Sequence, residues 1–308
     1  MRALTNTRDF VGYGHAPPDL RWPGGARLAV NFVLNYEEGS EYSIDDGDGK
    51  SDAVLTEVAQ ARVPHGMRDL GAESMFEYGS RVGFWRIHRL FRERELPLTV
   101  FAAALALERN PPAARAIAAT DWDVVCHGWR WVEHYLLDEA TEREHIARAH
   151  ETISRLIGRA PEGWYSRYAP SPATRRLVVA HGGFTYDSDA YNDELPYWVT
   201  VEGRAHLVVP YSLATNDAKL VGGPLVTGRA FGEFLIDSAN ELLADGTHAR
   251  MMSIGMHARV LGQPGRIGGL RAFMDHVQGL SGVWICRRSD LAAHFRALVP
   301  PSEVPSCT

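Results

Sequence analysis

The sequence predicts an α/β protein folded as a (β/α) barrel, irregular or incompletely closed, with a doubly wound open sheet as the alternative. Three observations carry this. Apolar strand-like runs alternate with amphipathic helical stretches through about eight units, the pattern of a barrel of parallel strands. No internal repeat, low-complexity tract or linker divides the 308 residues, a length ordinary for one such barrel. Ionisable residues fall just past one strand candidate after another, the end at which helix-covered parallel sheets bind ligands.

The elements follow in order. Residues 28–34 form a nearly unbroken apolar run, which reads as a strand covered on both faces. A polar, Gly-rich excursion spans 38–71. Phe84, Ile87, His88 and Phe91 recur at three-to-four spacing and predict a helix over 81–94. Residues 98–103 read as strand, 112–119 as helix and 122–126 as strand. Asp138 can cap a long helix that Gly158 stops, with Glu142, Glu144 and Arg148 on its polar side. Further strand candidates lie at 163–165, 184–186, 207–210, 251–255 and 283–286, with helical stretches between most of them. One domain over 1–308 is expected, carrying an N-terminal extension (1–25) and the polar insertion (38–71).

Composition narrows the function classes. A net charge of −6 offers no basic stripe for releasing counterions from nucleic acid. The longest apolar run, 100–107, is too short to span a bilayer. The first fifteen residues lack the apolar core of a signal peptide. Cys126, Cys286 and Cys307 form no disulfide framework, which suits a reducing compartment. A cytoplasmic protein acting on a small molecule is expected, with no nucleic-acid or membrane partner and a homo-oligomeric assembly, dimer or tetramer.

Asn35-Tyr36-Glu37-Glu38-Gly39 sets two adjacent carboxylates where a buried strand ends. Such a pair is costly to desolvate and self-repelling, so one member is expected to be raised toward neutrality and poised for proton transfer or metal binding. The plain alternative is a solvated acidic loop, since Glu41, Asp45, Asp46, Asp48 and Asp52 follow. His127, Arg167, Asp187, Asp189, Asn216, Asp217 and His257 also lie just past strand candidates. In a barrel all of them share one mouth, and chance would scatter them over both ends.

Glu37-Glu38-Gly39, His127-Gly128-Trp129-Arg130-Trp131, Gly163-Trp164-Tyr165-Ser166-Arg167 and Ser253-Ile254-Gly255-Met256-His257 resemble, in order, four signatures of the polysaccharide deacetylase superfamily. The chain is most similar to its metal-independent allantoinase and cyclic-amide hydrolase branch. Val11-Gly12-Tyr13-Gly14, Phe76-Glu77-Tyr78-Gly79-Ser80-Arg81, Tyr186-Asp187-Ser188-Asp189, Leu195-Pro196-Tyr197-Trp198 and Thr215-Asn216-Asp217 add to the likeness, which runs from about Asp9 to about Arg296. The resemblance implies a distorted (β/α) barrel, a single polysaccharide-deacetylase-like catalytic domain. In the metal-dependent members an Asp-Asp-Gly supplies a base and a cation ligand, and two histidines four apart complete the metal site. Glu37 and Glu38 stand in the first places here, and Trp131 stands where the second histidine would be. A catalytic zinc needs three protein ligands, so no metal and no other cofactor is expected. His134 could substitute only if the backbone bent it inward.

By that resemblance Glu37 is the candidate general base and His257 the candidate general acid. Glu38, His127, Trp131, Trp164, Arg167, Asp187, Asn216 and Asp217 are candidate substrate-binding residues. Arg167 would stabilise the oxyanion, and Trp131, Trp164 and Trp198 would wall a small flat substrate, although aromatic side chains also serve simply as core. Without a cation, an activated ring amide such as a hydantoin, a cyclic imide or allantoin suits the chemistry better than a sugar acetamide, because its leaving nitrogen is conjugated to a second carbonyl. Residues 166–173 depart from the corresponding loop of the allantoinase branch. A carbohydrate or peptidoglycan de-N-acetylase and a non-enzymatic binding barrel are the alternatives. Asp45-Asp46-Gly47 spells the deacetylase triplet, but it follows no buried strand and reads as structural.

Overall fold

A computed structural model describes residues 8–301 apart from 226 and 247; residues 1–7 of the expected extension and Cys307 lie outside it. Nine strands form one sheet among the described residues: β1 (Leu28–Tyr36), β2 (Thr99–Ala102), β3 (Asp123–Cys126), β4 (Gly163–Trp164), β5 (Tyr186–Asp187), β6 (Tyr197–Val201), β7 (Arg204–Val208), β8 (Arg250–His257) and β9 (Val283–Ile285). The order is β6-β7-β5-β4-β3-β2-β1-β8, with β9 beside the start of β1. All neighbours run parallel except β6 and β7, an antiparallel hairpin that sequence patterning missed. Its turn residues Glu202 and Gly203 both take positive φ, as a tight two-residue hairpin requires. Among the described residues no strand joins β7 to β8. One parallel bridge, Asn216 to Gly255, spans the gap, so the barrel is distorted and only partly closed.

Helices α1 (Leu70–Tyr78), α2 (Phe84–Glu93), α3 (Ala104–Arg109), α4 (Pro111–Ala118), α5 (Glu139–Ile157), α6 (Thr174–His181), α7 (Gly228–Ala244), α8 (Ile267–Gly279) and α9 (Arg288–Leu298) accompany the strands. Asp138 caps α5 and Gly158 ends it with φ 80°, as its sequence implies. Glu142 is a correction. It is buried rather than on the polar side, accepting from Ser171 Oγ at 2.6 Å and lying 3.0 Å from His134 Nδ1. The helix expected over 81–94 is α2, entered from α1 through a π-helical turn at Gly79–Gly83. No helix of the described residues is long and apolar enough to cross a membrane.

Alternation along the strands sorts the core into two layers. Leu28, Val30, Phe32, Leu34 and Tyr36 of β1 pack outward among the helices. Ala29 and Val33 face the barrel interior with Phe101, Val125, Tyr165, Tyr211 and Met251. This period of two continues past the strand end and carries Glu37 to the interior mouth. It does the same for His127 after β3 and for His257, paired in register with Asn35. Below them Arg288, fully buried, ties the interior together by donating to Ser188, Ser253 and the carbonyls of Val209 and Pro210.

The insertion after β1 folds over the mouth. Its acidic residues, candidates for a solvated run, are counter-ions instead. Asp52 holds Arg167 at 2.6 Å, Asp48 holds Arg130 at 2.5 Å, and Asp46 pairs with Arg109. These contacts bury Ser51, Asp52, Ala53 and Thr56.

Candidate active site

Gly39 takes φ 93°, so the chain turns sharply after β1, and the Ser40 N–H and Oγ both donate to the Glu37 carbonyl. That turn fixes Glu37 inward and Glu38 toward the helices. Gly79 and Gly83 of the π-helical turn admit the rest of the packing. A Cβ at Gly79 would overlap the Glu38 carboxylate, and one at Gly83 would overlap the carbonyl of Ala258.

Glu37, His127 and His257 meet at one point. Glu37 Oε1 lies 3.2 Å from His127 Nε2 and 3.5 Å from His257 Nε2. His127 Nδ1 is 2.8 Å from the Tyr165 carbonyl, which only accepts, so that nitrogen carries a hydrogen. His257 Nδ1 is 2.6 Å from Asp217 Oδ1, and Asp217 Oδ2 accepts the backbone N–H groups of His257 and Leu261. Both imidazoles therefore turn Nε2 toward one carboxylate oxygen. Two lone pairs against an anion would repel, so the cluster holds at least one proton among its three groups.

Electrostatics say where it sits. Burial alone would lower His257, but Glu37 and Asp217 raise it to about 9. Burial alone would raise Glu37, but His257, Arg259 and His127 bring it well below the usual carboxylate range. Burial raises Glu38 and the Glu37 charge adds to this, against the pull of Arg259. The adjacent carboxylates are thus split, one ionised and one pushed toward its neutral form. Such a split gives two like groups different protonation states.

Arg259 was not singled out by sequence. It is fully enclosed, donating to Glu37 Oε2 at 2.8 Å and Glu38 Oε1 at 3.3 Å, with its Nε on the carbonyl of Leu55. Its only sequence signal is position, two residues past His257. Tyr165 was also missed, although it follows Trp164 on the interior-facing parity and stacks on His127 with ring centres 5.0 Å apart.

The remaining candidates divide. Trp131 is buried beside the cluster, with the Arg167 guanidinium 3.7 Å from its ring centre and that of Arg259 at 5.0 Å. Arg167 itself is committed to Asp52 and the Trp131 carbonyl, which leaves Arg259 as the cation touching the acidic pair. Asp217 orients His257. Asn216 caps the following turn and donates to the Tyr211 hydroxyl. Asp187 is locked between Arg175 at 2.7 Å and His206 at 3.0 Å. Trp164 lies in the outer core, donating to Ser166 and Asp189, and Trp198 donates to the Val299 carbonyl. The structure does not bring Asp187, Trp164 or Trp198 to Glu37.

A divalent cation does not fit these residues. A fixed guanidinium already pairs with both carboxylates, and the indole of Trp131 is buried beside it. Among the described residues no three His, Cys, Asp or Glu side chains are set to hold a metal ion.

Comparison with known proteins places the chain among close relatives. The signature of the family described as polysaccharide deacetylase matches residues 71–186. A Schizosaccharomyces pombe protein, provisionally named a polysaccharide deacetylase, is 36% identical over 96% of this chain and 99% of its own. A Pseudomonas aeruginosa PAO1 crystal structure, with the same provisional name, is 45% identical at a TM-score of 0.91, covering 95% of this chain and 99% of that one. The crystal structure of PuuE allantoinase is 44% identical at a TM-score of 0.92, covering 96% and 99%.

Proposed function

The chain belongs to the polysaccharide deacetylase family, hydrolases of carbon–nitrogen bonds, and from that premise we propose that it opens a small cyclic amide with water by metal-free general acid–base catalysis. The observation that carries this is the Glu37 carboxylate held between His127, His257 and Arg259. The likeness to PuuE allantoinase supports the substrate class, with hydantoin and allantoin types foremost.

Glu37, ionised, takes a proton from water as the water oxygen bonds to the carbonyl carbon. His127 donates Nδ1 to the Tyr165 carbonyl and so aims Nε2 at the same carboxylate oxygen, which orients base and water. Arg259 supplies fixed positive charge beside the developing oxyanion, inside a site dry enough for that charge to count. The carbon–nitrogen bond then breaks with its electron pair on nitrogen, which takes the proton from His257 Nε2. Asp217 holds that imidazole in place and favours its charged form. The 3.5 Å gap from Glu37 to His257 lets the proton gained by the base return to the acid for the next cycle.

A ring amide whose leaving nitrogen is itself an amide yields a carboxylate and a non-basic nitrogen, so each turnover releases one proton. Hydrolysis of a sugar acetamide yields acetate and a basic amine that takes up part or all of that proton, so it releases less than one. A panel of hydantoin, allantoin, dihydrouracil, succinimide and chito-oligosaccharide, followed by pH-stat, separates the two. Alkali uptake equal to ring opening is expected. Turnover of the oligosaccharide alone, with less than one proton released per cleavage, would assign the site to de-N-acetylation.

A further inference from the structure

We propose that Tyr168 and Tyr191 form an outer subsite that takes a flat apolar substituent, such as an aryl group, on the ring carbon of the cyclic-amide substrate. This rests on the cyclic-amide reading and narrows its substrate class. An aromatic path leads from the acid–base cluster to the surface. Tyr165 stacks on His127, and its hydroxyl meets that of Tyr191 at 2.9 Å. The Tyr191 ring lies 5.8 Å from that of Tyr168, tilted by 47°. Tyr168 is 62% exposed and Tyr191 37%, so this path ends in open ring surface.

The segment presenting Tyr168 is fastened on both sides. Arg167 is held by Asp52 at 2.6 Å and by the Trp131 carbonyl at 2.8 Å. Ser171 donates to Glu142 at 2.6 Å, and Thr174 donates to the same carboxylate. Tyr191 is held by its hydroxyl contact with buried Tyr165. Rings held in place by their neighbours lose little further freedom when a ligand ring stacks on them, the condition under which aromatic contacts yield affinity. Both tyrosines follow strands β4 and β5, on the same carboxyl-end face of the sheet as Glu37, so a ring substituent directed along this aromatic path would meet them. A polar ureido group would gain little from such faces. A phenyl ring gains an offset or edge-to-face contact.

The test compares hydantoin with 5-benzylhydantoin on the whole protein and on the variants Tyr168→Ala and Tyr168→Phe. Tyr168→Ala is expected to raise KM for the benzyl compound by roughly 2- to 13-fold, the span of one aromatic pair. KM for hydantoin and kcat for both should stay unchanged, and Tyr168→Phe should restore the wild-type ratio. Equal effects on both substrates, or none on either, would overturn the subsite. So would a change in solution mass of Tyr168→Ala with an unchanged KM ratio, which would assign the rings to a contact between copies. If the wild type opens neither ring, the cyclic-amide reading falls and the subsite with it; if it opens both while Tyr168 is silent, only the subsite falls.

Discussion

Around Glu37 one carboxylate faces two imidazoles and a guanidinium, and each neighbour has a separable effect. Glu37→Gln keeps the shape and removes the base, so kcat should fall by roughly 10²–10⁴-fold while substrate still binds; stopped-time turnover and equilibrium binding check this. The pH profile follows from two directions. Because Glu37 lies well below the usual carboxylate range, the acid limb of kcat/KM should lie below pH 4 to 5, the ordinary span for a free glutamate (about 4.3). Because His257 is raised to about 9 and must carry its proton, the alkaline limb should lie near that value. Asp217→Asn removes one of the two charges that raise His257, so the alkaline limb should move down, a shift that loss of folding would not produce. The carboxylate pair, both histidines and Asp217 were legible from their positions past strand ends. Arg259 was not, because a lone arginine in a loop looks the same whether it pairs with solvent-facing acids or buried ones. Asp217 was picked out as a substrate contact, since sequence spacing cannot show that His257 already occupies it.

Between elements, close backbone approach matters more than helix propensity. The π-helical turn at Gly79–Gly83 presses against Glu38 on one side and the Ala258 carbonyl on the other. Gly83→Ala sets a methyl against backbone that cannot swing aside. It should destabilise the fold by about 1–3 kcal/mol, the usual range for overpacking, and thermal denaturation measures it. A melting temperature equal to wild type would show that the turn has room to spare. The insertion after β1 makes a second case. Asp52→Ala frees Arg167 from its buried counter-ion, so activity should fall and the insertion should become more open to proteolysis. Strands β1, β2, β3, β8 and β9 were readable as apolar runs. Of the β6–β7 hairpin only the buried end of β7 was read, within the candidate at 207–210; half-exposed β6 and the exposed start of β7 were not. Short α3 escaped for lack of enough turns to display a period, and α1 because it starts inside the polar insertion.

At the scale of the whole molecule, a partly closed barrel brings the ends of β1, β3 and β8 to one point and covers it with the β1 insertion. Parity along those strands decides which residues reach that point. It explains why Tyr165 stacks on His127 while neighbouring Trp164 joins the outer core. The barrel class and its irregular closure were legible from alternating elements; the single bridge between Asn216 and Gly255 that spans the gap is marked by no sequence pattern. On the proposed mechanism Arg259 would do with a fixed charge what the metal-dependent pattern assigns to a cation. The most direct test is turnover of a hydantoin-type ring by protein stripped with chelator and analysed for metal. Full kcat with metal far below one equivalent is the expected result. Loss of activity on stripping, restored by one equivalent of a divalent cation, would contradict it.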